Sequence, residues 1–353
     1  MVECNIVSFS NSKPKPSTNE SRALPTSRHC RPLGGDTARR TRGSAIVDLS
    51  SQVLNNKDKE HFLRQPRKPS WIRAQIPGGS NYETMRDNMA KHGLSTVCQE
   101  ASCPNIADCW SRGTATIMIL GDICTRSCGF CNVRTGKPLP ADYEEPVTVG
   151  KSVALMGLQH IVITCVDRDD LPDGGSTIWA RTIREINSKT PKTTVEALVG
   201  DFKGDKSDLQ TVIDARPEIL AHNLETVPRM HPTVRPQATY DRSIDVLRQI
   251  RDSNLVSKTG IMVGIGETDD EVYALLADVQ QKAGTEIITI GQYLQPTRNH
   301  LPVDRWVHPK QFEKFKEVGL DLGFRVVESG PLVRSSFHAQ KQIRALESSI
   351  QTE

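Results

Sequence analysis

Aromatic residues are scarce in this 353-residue chain, 5% of the total, and no apolar run approaches the roughly 18 residues needed to cross a membrane. The segment 160–166, HIVITCV, is among the longest such runs. A membrane-spanning helix is therefore excluded. So is a collagen-like or wholly disordered chain, because hydrophobic residues make up 37% and charged residues 25%. A charge of one sign is also missing from the body. Net charge is +3, yet residues 1–70 hold 13 Lys/Arg and 6 Asp/Glu, which leaves 32 basic and 36 acidic groups for everything after. The basic surplus belongs to the first segment, so a nucleic-acid-binding core has no electrostatic support. The start, MVECNIVSFSNSKPKP, has no basic, then apolar, then small-residue pattern of a secretory leader, and reduced thiols are expected.

Cysteine, in contrast, is abundant and clustered. Of the nine, Cys98, Cys103, Cys109, Cys124, Cys128 and Cys131 fall within 34 residues, with Cys4, Cys30 and Cys165 outside. Reduced thiolates grouped in this way point to metal binding rather than disulfides. Residues 1–65 are rich in Ser, Pro and Arg without helical or strand period, and read as a disordered basic tail. Such a tail could mimic an organellar transit peptide. Glu3, Glu20 and the early prolines argue against the amphipathic helix that would require, and a dispensable tail is the favoured reading.

After Trp110, short apolar runs alternate with helical patterns. Strands are predicted at 115–120, 160–166, 193–199, 218–223, 258–265 and 286–294. Helices are predicted at 147–157, 176–188, 206–215, 239–252, 268–283 and 309–322. In the 268–283 segment Thr268 and Glu271 form a capping-box pattern, Val272, Leu275, Leu276 and Val279 recur at helical spacing, and Gly284 supplies a stop. Six strands alternating with helices imply an α/β fold with a parallel sheet, a partial (β/α)6 barrel. The expected organisation is a tail to residue 65, a cysteine-bearing module at 66–112, the barrel at 113–325, and a C-terminal segment at 326–353.

Cys124, Cys128 and Cys131 lie in CTRSCGFC, directly after the first predicted strand, at the end where barrels place their chemistry. Three thiolates are one short of a closed zinc site or a simple electron-transfer cluster. A cubane held by three cysteines keeps one iron open for another ligand. The alternative is a zinc knuckle that borrows a distant fourth ligand. Cys98, Cys103 and Cys109, spaced C-x4-C-x5-C, form a second incomplete set, either a second metal centre or a small zinc site with an oxygen or nitrogen ligand.

The C-x3-C-x2-C spacing, with Phe130 before its last cysteine, resembles the radical S-adenosylmethionine superfamily. Together with TVCQEASCPNIADCW, VDRDDLPDGG, AHNLETV, GETDDE, GQYLQPTRNHLPV and SGPLVRSSFHA, it makes the chain from about Lys68 to Ala339 resemble the lipoyl synthase family. The resemblance implies that Cys124, Cys128 and Cys131 carry a 4Fe–4S cluster that binds and cleaves S-adenosyl-L-methionine. It also implies that Cys98, Cys103 and Cys109 hold an auxiliary 4Fe–4S cluster whose fourth ligand is the oxygen of Ser336, with Ser335 the fallback. The implied reaction is insertion of two sulfur atoms, taken from the auxiliary cluster, at C6 and C8 of a protein-bound octanoyl-lysine. Implied partners are octanoylated lipoyl carrier domains, those of 2-oxoacid dehydrogenase E2 and the glycine cleavage H protein, and an electron donor such as flavodoxin or ferredoxin. No nucleic acid or membrane is expected, and the expected compartment is the cytoplasm, or the mitochondrial matrix if the source is a eukaryote.

Polar residues at strand ends read as either ligand contacts or ordinary loop pairs: Asp167, Arg168, Asp169, Asp170, His222, Asn223, Glu225, Gln292 and Gln295. Arg334 reads as a partner for a cofactor carboxylate or as an anchor of the C-terminal segment. Glu267 reads as a polar cofactor contact or a solvated turn, and Cys165 as a small buried apolar residue. Phe337 stands where the family usually has tyrosine. Two rivals are sulfur insertion into another substrate, as in biotin formation, and a two-cluster electron carrier. The C-x4-C-x5-C spacing and the RSS motif argue against the first, and the size of the body against the second.

Overall fold

The computed structural model describes residues 67–73, 83, 86–87, 105–111, 114–337, 339 and 342. The predicted tail, and with it Cys4 and Cys30, lies outside the described residues, as do Cys98 and Cys103. A short helix α1 (Ile106–Ser111) leads into strand β1 (Thr114–Ile119). Two-residue strands β2 (Ile123–Cys124) and β3 (Arg134–Thr135) pair in parallel beyond it. There follow α2 (Glu145–Met156), β4 (His160–Cys165), α3 (Ser176–Lys189), β5 (Thr194–Leu198), α4 (Lys206–Ile213) and β6 (Ile219–Ala221). The remainder is α5 (His231–Val234), α6 (Tyr240–Asp252), β7 (Val256–Val263), α7 (Asp269–Ala283), β8 (Ile287–Gln292), α8 (Pro309–Asp321) and β9 (Val326–Gly330).

The main sheet has the order β1-β4-β5-β6-β7-β8-β9, every pair parallel, and its end strands β1 and β9 do not pair. This is the expected unclosed α/β half-barrel with one more strand than the six predicted. Strand β9 falls in what reads from sequence as a C-terminal segment, because VVESG has only two apolar residues and ends on glycine.

Partners in a parallel ladder share a face, so the register sorts the side chains. Ile117, Ile163, Ala197 and Leu220 are successive partners and pack with Val149 and Val153 of α2 and Trp179 and Ile183 of α3. Ile261, Val263, Ile288, Ile290 and Val327 continue that face against α7 and α8, through Leu275, Leu276, Phe312 and Phe315. The helices thus cover one face.

The other face carries Thr114, Thr116, His160, Thr164, Glu196, Lys258, Thr289 and Glu328 in the complementary register. Toward its N-terminal end Lys258 Nζ donates to Glu196 Oε1 at 2.7 Å, and His160 Nε2 lies 3.7 Å from the other carboxylate oxygen. All three side chains are fully buried. Burial alone would raise the Glu196 carboxyl, but Lys258 and His160 outweigh it and hold it below its ordinary range.

Helix α7 starts and stops where its sequence says. Thr268 accepts from the Glu271 N–H, and the Glu271 carboxylate accepts from the Thr268 N–H, so two otherwise orphaned donors are satisfied. Gly284 closes the helix at φ 58°, a left-handed conformation that suits a residue without Cβ.

Candidate active site

β1 ends at Ile119, and the chain turns sharply through Leu120 (φ 68°) and Gly121 (φ 92°). A left-handed leucine is held because its N–H donates to Glu145 Oε2 at 2.8 Å and its carbonyl accepts from the Arg168 guanidinium at 3.1 Å. This turn delivers Cys124, and the loop from β2 to β3 carries Cys128 and Cys131. All three thiols are partly buried and none is in a disulfide.

The loop is pinned from every side. The Thr125 N–H and hydroxyl both donate to the Asp167 carbonyl, at 3.0 and 2.9 Å. The Gly129 N–H donates to the Val234 carbonyl at 3.0 Å, and the Gly129 carbonyl accepts from Leu301 N–H at 3.0 Å. The approach is so close that a Cβ at Gly129 would lie 2.8 Å from Leu301 Cδ1. The Cys131 carbonyl is 2.9 Å from His300 Nε2, which must therefore carry its proton, leaving Nδ1 to accept from Thr297 Oγ1 at 2.8 Å.

Beneath the loop lies Arg126, its side chain only 3% exposed. It makes a two-pronged contact with Asp169 at 2.8 and 2.9 Å and donates to Asp201 Oδ1 at 2.6 Å, with Asp167 3.7 Å away. Asp201 also accepts from Arg242 at 3.1 Å. Burial would raise the Asp201 carboxyl, but the Arg126 hydrogen bond and charge, helped by His222 and Arg242, hold it down to about 2. Burial raises Asp167, and its neighbours Asp201 and Asp169 add to this against Arg126.

Burial also raises the thiols, Cys124 to about 11 and Cys131 to about 12, with Cys128 pushed up as well; their mutual charge and Asp167 add to it. Buried thiols that resist ionising alone become thiolates when a cation takes the proton's place. Two backbone N–H groups already point at Cys124 Sγ, Arg126 at 3.4 Å and Asp167 at 3.3 Å, the donors a thiolate ligand uses. Among the described residues no three His, Cys, Asp or Glu side chains converge on one point, as a single ion would require. A cubane does not need that, since its three cysteines bind three separate corners. The donor set fits an iron–sulfur cluster.

The second set is represented by Cys109, buried on α1. Asn105, between Cys103 and Cys109 in sequence, donates from Nδ2 to the Leu332 carbonyl at 2.6 Å across 227 residues. The stretch holding Cys109 is thereby joined to the stretch holding Ser335 and Ser336, which sit partly exposed in a turn closed by Phe337 N–H donating to the Arg334 carbonyl at 2.8 Å. Gly291 on β8 makes room for that segment, because a Cβ there would run into the Val333 carbonyl. The Phe337 ring packs against the core.

Most of the polar rim residues hold structure. Arg168 clamps Asp170 at 2.8 and 2.9 Å and reaches the Leu120 and Leu139 carbonyls. His222 bonds the Val199 carbonyl and Ser243, and burial with Arg235 lowers it to about 4. Gln292 is buried with its amide nitrogen on three carbonyls and its oxygen on Val307 N–H. Glu267 is neither solvated nor open to a ligand: it is buried, accepts from the Gly264 and Ile265 N–H groups, and meets Arg305 at 3.1 Å. Cys165 packs against the core, where burial raises its thiol.

Three rim residues are less fully engaged, and one of them acts on a thiol. Glu225 holds a positive φ of 66° for a non-glycine residue, and its carboxyl, raised by burial, feels Arg235 and Arg334 and in turn acts on Cys131. Asn223 donates to it at 3.0 Å and keeps a buried Oδ1 with no partner among the described residues. Gln295 likewise donates to His300 while its buried Oε1 has none. Sequence reasoning missed the roles of Arg126, His300, Asn105, Gly129 and Gly291. All five lie inside quoted motifs; Arg126, Asn105 and Gly129 were signalled only by standing between cysteines, and His300 and Gly291 only by standing in GQYLQPTRNHLPV.

A model of the radical SAM superfamily matches residues 118–279, and a model of the N-terminal domain of lipoyl synthase matches residues 39–103. The chain is 52% identical to the lipoyl synthase of Rubrobacter xylanophilus, an alignment covering 78% of this chain and 86% of that one. It is 53% identical to the lipoyl synthase of Parabacteroides distasonis, over 78% of this chain and 98% of that one. It is also 50% identical to a protein of Nematostella vectensis named mitochondrial lipoyl synthase, over 82% of this chain and all of that one. Methylornithine synthase, a solved structure, aligns at 14% identity and a TM-score of 0.47, over 71% of this chain and 83% of that one.

Proposed function

The chain belongs to the lipoyl synthase family of radical S-adenosylmethionine enzymes, and from that membership we propose how its residues divide the work. The family's reaction is insertion of two sulfur atoms, at C6 and C8, into an octanoyl chain carried on a protein lysine. Membership brings with it a 4Fe–4S cluster and S-adenosyl-L-methionine. In our assignment Cys124, Cys128 and Cys131 hold that cluster, while Cys98, Cys103, Cys109 and Ser336 hold an auxiliary one. When bound, the two clusters supply the electron that splits S-adenosylmethionine and the sulfur that is inserted.

Unactivated C–H bonds lie beyond any side chain acting as a base at neutral pH, so the polypeptide's task is placement. Arg126, locked to Asp169 and Asp201, fixes the cysteine loop at the C-terminal edge of β1. The Arg126 and Asp167 N–H groups favour negative charge on Cys124 Sγ. His300, through the Cys131 carbonyl, ties the loop to the segment after β8. Asn223 and Gln295, with unfilled acceptors near this rim, are assigned to polar atoms of the cofactor or substrate.

We assign residues 66–112 to the auxiliary-cluster module, 113–325 to the first six strands of the barrel with their helices, and 326–353 to a closing segment that opens with the sheet's seventh strand, β9. The partners we infer are the octanoylated carrier domains of 2-oxoacid dehydrogenases and of the glycine cleavage system, with flavodoxin or ferredoxin as reductant. The compartment is the cytoplasm, or the matrix in a eukaryote. Among the described residues no helix is long and apolar enough to cross a membrane.

The observation that carries the assignment is the three-thiol loop with two N–H groups already aimed at one sulfur. Anaerobic reconstitution followed by S-adenosylmethionine, dithionite and an octanoyl-lysine peptide tests it. About eight irons per chain, as two four-iron clusters require, 5′-deoxyadenosine, and a peptide mass gain of two sulfurs are expected. In Ser336→Ala, 5′-deoxyadenosine should still form while sulfur transfer fails; wild-type lipoyl formation would refute the serine's role.

A further inference from the structure

Two contacts, far apart in sequence, grip Leu332 and Val333. On one side Asn105 Nδ2 donates to the Leu332 carbonyl at 2.6 Å, and Asn105 is itself buried. On the other, the chain lies so close over β8 that only a residue without Cβ fits at Gly291. The Val333 N–H turns back onto the Gly330 carbonyl at 3.1 Å, which makes the grip continuous with the end of β9. Asn105 sits between Cys103 and Cys109, and Ser336 is four residues past Leu332. One amide thus ties the stretch that leads into Ser336 to the stretch that carries Cys109, and one missing methyl sets its depth over β8.

We propose that Asn105 and Gly291 are positioning residues for sulfur donation: they clasp residues 332–334 so that the following serine hydroxyl reaches the auxiliary cysteines. The proposal rests on the assignment of Ser336 as a cluster ligand. Neither residue touches the reacting atoms. Asn105 supplies a donor that fixes the segment along its length, and Gly291 fixes its depth against the sheet. A side-chain amide is suited to this because it bonds a carbonyl without adding charge beside a cluster. An aspartate in its place would set two acceptors against each other, leaving the Leu332 carbonyl unpaired in a buried site.

The test compares wild type, Asn105→Asp and Gly291→Ala as full-length chains. In cluster-free protein, backbone hydrogen exchange at residues 332–337 should speed by at least about tenfold in both variants, with exchange in β4 to β7 unchanged. After reconstitution, iron should drop from about eight per chain toward about four, and the Mössbauer component of an oxygen-ligated iron should vanish. Because Gly291→Ala can fail to fold, Asn105→Asp, which adds no bulk, decides the outcome. Unchanged exchange in Asn105→Asp overturns the clasp. Faster exchange with a full iron load and the oxygen-ligated signature intact overturns its positioning role. A wild-type chain that takes up only about four irons overturns the Ser336 assignment and with it the proposal, and it is told apart from the other failures by the exchange data.

Discussion

Replacing Arg126 with methionine should leave three carboxylates, Asp167, Asp169 and Asp201, facing one another where a guanidinium now sits. The cost can be worked from two sides. Asp201 is held at about 2 against an ordinary 3.8, a depression worth about 2 kcal/mol of folding stability at neutral pH. Arg242 supplies part of that and survives the substitution. Asp169 is more exposed, so its two-pronged contact adds about 1 kcal/mol at most. A total of about 2–3 kcal/mol sits at or below the low end expected when one partner of a buried ion pair is removed.

The sign with pH is distinctive. A depressed carboxylate contributes stability above its unfolded value and loses it as pH falls toward the folded one. Without Arg126, burial instead pushes Asp201 upward, and acid then relieves the variant. Urea unfolding of cluster-free protein should give a gap between wild type and Arg126→Met that is wide at pH 7 and narrower at pH 4. A gap below about 0.5 kcal/mol at neutral pH would refute the network's weight, because that is the scale of an ordinary surface substitution. A gap that does not narrow in acid would refute the electrostatic account.

Gly129→Ala places a Cβ 2.8 Å from Leu301 Cδ1 inside the cysteine loop; a stability loss of about 1–3 kcal/mol by overpacking, and weaker iron uptake by the first cluster, should show in urea titrations and iron counts. Lys258→Met strands the buried Glu196 carboxylate and should destabilise by about 3–5 kcal/mol in urea, with Glu196→Gln added in the same chain recovering much of it. Thr268→Ala removes one half of the capping box and should lower stability by about 1 kcal/mol in urea while 5′-deoxyadenosine formation is unchanged.

The barrel was legible because its signals are local. Thr268, Glu271 and Gly284 state where α7 begins and ends, and the apolar runs of β1, β4 and β8 are nearly solid because helices cover one face and a crowded lumen fills the other. β9 escaped because Glu328 and Gly330 face that lumen and Ser329, on the helix side, donates to the Phe312 carbonyl of α8 at 2.8 Å, which leaves only Val326 and Val327 to mark a strand. At the site, the cysteines announce themselves by spacing, a property of one dimension. What holds them does not: Arg126 meets Asp201 across 75 residues, His300 meets Cys131 across 169, and Asn105 meets Leu332 across 227. No periodicity encodes such pairings. Glu267 was misread for a related reason, since an acidic residue beside a glycine looks solvated until the turn closes around it and Arg305 arrives from elsewhere.

In the main sheet each strand pairs with the one made just before it, from β1 through β4 to β9. A chain emerging from a ribosome can thus lay down its sheet like courses of brick, each new strand finding its edge already waiting. The Asn105–Leu332 contact breaks that order, for its first half is synthesised before the main sheet's first strand and its second half after its last. The cysteine loop at Cys124–Cys131 becomes enclosed partway through translation, whereas the serine turn cannot be seated until the last course is laid. The stretch around Cys109, though earlier in the sequence than that loop, is then the later to find its complete surroundings.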